Sequence, residues 1–286
     1  MPAETHDSLA VLIDESAGVA GMQQIVESSD RLFGIGGDNA AQYHRLAVLV
    51  RATNLIDVAD FVSAANRGNR LRALLIDSDV DADGILYIIN RAKLRIIRNV
   101  LVHRGPEIPM RFLTAWARGI EEHVIATATA FDDRLAVRNC AMKSFEIGFD
   151  AYPALLRIPA SERSRFVIDP DGLFLHWAGA DVHLTMEDVF LATNPKLREQ
   201  AITRRLASDR AFGAAVRTLR HTHHLKQTDI PGLTARHVRR IEHGFVPGEG
   251  ALLSLAAAHG MDPDAYLEAV TELMAVTGEP RPAGLS

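Results

Sequence analysis

Apolar residues fall into three textures along this chain. Between Ala211 and Val270 they recur three and four apart, the spacing that lines one face of a helix. Phe212, Val216 and Leu219 mark a first helix, LKQTDI a second, and Val238 with Ile241 a third. Leu252, Leu253, Leu255 and Ala256 mark a fourth, and Asp262-Pro263 opens a fifth. From residue 1 to about 122 similar spacing occurs in GVAGMQQIVESSDRLF, AAQYHRLAVLVRATN and LIDVADFVSAANR, separated by Gly, Asn and Asp. The longest predicted helix there runs from Ala82 to Arg104, with Ile85, Ile89, Ala92, Ile96 and Val100 facing inward. Between His123 and Phe190 the texture changes. HVIATATAF, DRLAVRNC and KSFEIGF read as strands, and RFVIDPDGLFLHWAGADVHL as two more, turned at Asp169 to Gly172.

The pattern predicts an α+β, multidomain chain. A helical N-terminal region (1–122) precedes a small central β-rich α/β domain (123–191), a polar, basic linker expected to be helical (192–209) and five short helices (210–274). The Pro- and Gly-rich end (275–286) is expected to be disordered.

Composition narrows the class. With 286 residues, 48% of them hydrophobic, there is enough apolar material for more than one core, and no run of eighteen apolar residues to cross a membrane. The first residues carry acids where a signal peptide carries lysines, and the single cysteine, Cys140, rules out an internal disulfide, so a cytoplasmic protein is expected. Cys140 is read as a small buried apolar residue rather than a nucleophile. The net charge of −5 is unevenly spread: residues 196–244 hold eleven Lys and Arg against four Asp and Glu, a local +7 that leaves −12 elsewhere. A basic stretch on an acidic protein points to an anionic polymer as partner.

The richest stretch is TARHVRRIEHG, Thr234 to Gly244. Thr234 can cap a helix, Gly244 can stop it, and Val238 and Ile241 give it one apolar side. Ala235, Arg236, His237, Arg239 and Arg240 are then predicted to face outward, a methyl group beside donors that suit guanine edges or phosphates. With VRTLR, LKQTDI, GLT and the LLSLAAAHGM run, residues 212–270 resemble the Cro/repressor-type (xenobiotic-response-element) helix-turn-helix family. The resemblance implies a C-terminal five-helix bundle that binds double-stranded DNA as a homodimer. It also implies a phosphate contact at Gln227, base contacts at Ala235, Arg236 and Arg240, and a further phosphate near His243. Against the family pattern, Pro231 stands where a further helical turn is usual, shortening the second helix.

Four other features bear on architecture and chemistry. FVIDPDGLFLHW, AGADVHL and PALLRIPASERSR resemble domain of unknown function 2442, which precedes a helix-turn-helix in some bacterial proteins. Arg98, Asn99 and His103 in IIRNVLVHRG resemble the motif of HEPN (higher eukaryote and prokaryote nucleotide-binding) domains, all-helical modules that often cleave RNA. That implies an alternative, a metal-independent ribonuclease with an autoregulatory DNA-binding domain, His103 moving a proton and Arg98 steadying the phosphate. The motif equally suits a helix ending in basic residues. Asp79, Asp81, Asp83 and Gly84 match the opening of a calcium loop, yet Asn90 stands where its last carboxylate belongs, and an acidic turn capping the next helix fits as well. His221, His223 and His224 lack a cysteine or carboxylate partner at ligand spacing, and neither metal nor cofactor is expected.

Overall fold

The structure, a computed structural model, describes residues 8–14, 20–35, 43–94 and 96–277. It separates into two units, Met1–Thr193 and Asn194–Ser286. No helix among the described residues is long and apolar enough to cross a membrane.

The first unit opens with five short parallel strands, β1 (Leu9–Ile13), β2 (Leu32–Gly34), β3 (Leu46–Arg51), β4 (Leu71–Asp77) and β5 (Val100–His103), in the order β2-β1-β3-β4-β5. Every neighbouring pair is parallel. Four helices cover the sheet: α1 (Ala20–Glu27), α2 (Ala59–Arg67), α3 (Ala82–Arg91) and α4 (Glu107–Arg118). Leu9, Val11, Leu49 and Leu75 pack on one face with Met22 of α1 and Phe112 and Trp116 of α4. Ala10, Val48, Val50 and Leu74 pack on the other with Val62 of α2 and Ile85 of α3.

This corrects the expected helical N-terminal region. A strand buried on both faces has no polar side to alternate with, so LAVLI, LAVLV and ALLI are continuous apolar runs. Helical spacing can be found inside such a run by chance. The helix predicted over 82–104 stops at Arg91; Lys93 takes a left-handed conformation (φ 57°), Ile96 is 84% exposed, and Val100–His103 continues as β5.

The rest of the first unit is antiparallel. Strands β6 (Ile125–Phe131), β7 (Arg134–Asn139) and β8 (Ser144–Gly148) form one sheet, and β9 (Val167–Ile168), β10 (Phe174–Trp177) and β11 (Val182–Thr185) another, followed by α5 (Met186–Thr193). Leu135, Val137, Ile147, Leu175, Trp177 and Leu184 share a core with Met186 and Val189 of α5. Cys140 is buried just beyond β7, and burial pushes its thiol up to about 12.

The second unit holds helices and connecting loops, with no strand among its described residues: α6 (Pro195–Thr222), a 3₁₀ turn (Gln227–Asp229), α7 (Ala235–Glu242), α8 (Glu249–Ala258) and α9 (Pro263–Thr277). The expected linker is helical from Pro195 onward, as its sequence suggests, but continuous with the next helix: α6 runs 28 residues without a break, its start capped by Asn194. Val216, Leu219, Ile230, Val238, Ile241, Leu255, Tyr266 and Val270 form one core. Gly213 lets α6 approach the end of α7: a Cβ there would lie 2.4 Å from the Ile241 carbonyl oxygen and 2.8 Å from the Gly244 nitrogen. Gly244 has φ 95°, the left-handed region that favours glycine. Of the end expected to be disordered from 275, α9 holds the residues up to Thr277; residues 278–286 lie outside the described residues.

Candidate nucleic-acid interface

Helix α7 starts as its sequence predicts, with the Thr234 hydroxyl accepting the His237 amide at 3.2 Å. Val238, Ile241 and Glu242 are buried. Arg236, Arg239, Arg240 and His243 are exposed, three or four residues apart along the opposite side. Arg236 and Arg239 form no ion pair among the described residues. The Arg240 guanidinium lies 4.0 Å from the centre of the Phe245 ring, a platform that restricts its motion without neutralising it. His243 Nδ1 donates to the Arg239 carbonyl at 2.7 Å.

Two expected contacts are placed differently. Gln227 is half-buried, its amide nitrogen donating to Glu242 Oε2 at 2.7 Å, so the group expected on a phosphate is committed inside the fold; exposed Lys226 precedes it. His237 is half-buried too, its ring edge-on to Phe245 at 5.9 Å and its Nε2 shielded without a partner, so it belongs to the supporting layer. Ala235 is half-buried at the start of the helix.

The residues that fix α7 were not singled out in the sequence. Arg220 of α6 and Glu242 of α7 are both buried, with Arg220 Nε donating to Glu242 Oε1 at 2.6 Å. Arg220 also donates to the Leu225 carbonyl, and Glu242 accepts from Gln227. One carboxylate thus joins α6, the 3₁₀ turn and α7. The short second segment is one turn long, as the Pro231 departure suggested. Its position is set by buried Ile230 and by Asp229, which accepts the Lys226 amide at 2.8 Å.

The remaining candidates do not assemble. Arg98 and Asn99 lie in the loop before β5 and His103 at its end, so no helical face unites them. Asn99 donates to the Leu71 carbonyl at 3.2 Å, and the parallel sheet is not the all-helical HEPN architecture. His103 sits at the carboxyl edge of the sheet, 3.9 Å from Asp77, which also lies 3.9 Å from Arg51 and accepts the Gly105 amide at 3.1 Å. Burial lowers the His103 pKa against the opposing pull of Asp77, while its Nδ1 donates to the Gly105 carbonyl. Polar groups at this edge satisfy one another. Asp81 caps α3 by accepting the Gly84 amide at 2.9 Å; Asp79, Asp81 and Asp83 do not bring three ligand oxygens together among the described residues.

Comparison with protein-family models, with curated proteins and with solved structures finds no match for this chain.

Proposed function

We propose that the second unit is a helix-turn-helix module that binds double-stranded DNA, and that the protein is a sequence-specific transcription regulator working in the bacterial cytoplasm. The observation that carries this reading is the outward face of α7, where three exposed guanidinium groups stand on a helix locked from behind by Glu242, Val238 and Ile241. A helix of this width enters the major groove, where Arg236 and Arg240, one turn apart, would meet successive base edges and Arg239 with His243 the backbone. Gly213 and the Arg220–Glu242 pair hold the helix at a fixed angle, which base reading requires. The local charge of +7 over 196–244 adds the phosphate attraction. One such helix touches few bases, so the reading includes a pair of chains on half-sites about one helical turn of DNA apart.

The test is genome-wide DNA capture with the full chain, set against an Arg236→Ala, Arg240→Ala variant. Each lost guanidinium should cost about 1 to 3 kcal/mol of discrimination at its base pair. Binding of the captured site should weaken steeply with salt. Unchanged site selection by the variant would overturn the assignment.

A further inference from the structure

The hairpin formed by β10 and β11 has two unlike faces. Leu175, Trp177, Val182 and Leu184 point into the core, while His176 and His183 lie on the outer side, directly paired across the two strands. Their rings stack with centres 4.3 Å apart and planes 7° apart, and Phe174 packs edge-on to His183 at 5.0 Å. Asp181, the last residue of the connecting turn, brings its carboxylate to the same place. One ligand atom from each of His176, Asp181 and His183 lies within 4.8 Å of the others.

Stacking explains the two rings but not the converging carboxylate. None of the three side chains makes a hydrogen bond or ion pair among the described residues, so their lone pairs are uncommitted. Metal–nitrogen distances of about 2.0 to 2.1 Å put the ligand atoms of a tetrahedral ion about 3.3 Å apart, within reach of modest side-chain rotation for donors that lie within 4.8 Å of one another. The backbone register and the buried residues behind it hold the donors in place. Two imidazoles and one carboxylate on an open surface suit a borderline divalent ion that completes its coordination with water.

We propose that the β10–β11 hairpin binds a divalent transition-metal ion of the Zn²⁺ class through His176, His183 and Asp181. Binding clips the turn to both strands. The site is independent of the DNA-reading assignment.

Full-length protein without a histidine tag, stripped by chelator, would be titrated calorimetrically with Zn²⁺ alone. One ion per chain is expected. Loss of an outer-shell partner alone commonly costs about 10- to 100-fold in affinity, so His176→Ala or His183→Ala should cost at least about tenfold. Changing His221, His223 and His224 to Ala together should leave this binding in place. Where an alanine variant fails to fold, His183→Phe keeps a ring against His176 and Phe174 and removes the nitrogen; it should fold and lose the ion. Absence of saturable binding overturns the proposal. So does binding that survives His183→Phe, or binding lost with the 221–224 histidines instead.

Discussion

Arg220 and Arg240 carry the same guanidinium in the same helical unit, yet they serve opposite regions of it. Where α6 meets α7, Arg220 is sealed against Glu242 with its donors occupied. On the outer side of α7, Arg240 lies over a phenyl ring and keeps its charge exposed. A count of cations therefore overstates the binding surface. Burial and pairing decide which charges build the module and which stay exposed on its surface.

Inner-region changes should destroy folding, and outer-region changes should spare it. The largest effect is expected for Glu242→Ala, which leaves Arg220 buried and unpaired; about 3 to 5 kcal/mol of stability should be lost in urea unfolding of this unit. Gly213→Ala comes next. Its new methyl group meets main chain rather than a flexible side chain, so the cost should reach about 3 kcal/mol, the upper end for overpacking. Arg240→Ala should leave the unfolding free energy within about 0.5 kcal/mol of the parent, while weakening discrimination at one base pair by about 1 to 3 kcal/mol in competition binding. Phe245→Ala, which removes only the platform, should weaken DNA binding by about 0.5 to 1 kcal/mol. An Arg240→Ala protein that unfolds, or a Glu242→Ala protein that stays as stable as its parent, would erase the distinction.

The smallest effect is one of pH. Burial holds the His259 imidazole below its ordinary 6.5, against the raising influence of its bond to the Leu255 carbonyl. The unfolded chain takes up that proton first, so stability is complete above about pH 6.5 and falls as pH drops below it. His103 acts in the same direction in the first unit. Melting temperatures between pH 7.5 and 5.5 should show the decline, and His259→Phe should reduce it for the second unit.

What could be read from the sequence follows the range of the forces involved. The Thr234 cap, the Gly244 stop and the Val238–Ile241 side of α7 are local, and the structure has them where the spacing places them. Strand β3 mimics helical spacing, and β1 and β4 pass unannounced in the expected helical region, because burial on both faces removes the polar alternation that announces a strand. Arg220 and Glu242 lie far apart in sequence and meet only through packing of α6 on α7, which also turns Gln227 inward. His176 and His183 look unrelated until the hairpin pairs them.

At Gly213 and Gly244 the seam between α6 and the end of α7 places backbone against backbone. A bulkier residue at either position cannot be accommodated by trimming the one opposite, since main chain has nothing to trim. Divergence in this unit is thereby steered away from the joint and toward the arginine face, where, on the proposed DNA-binding reading, a new operator preference can be acquired while the frame that presents it stays the same.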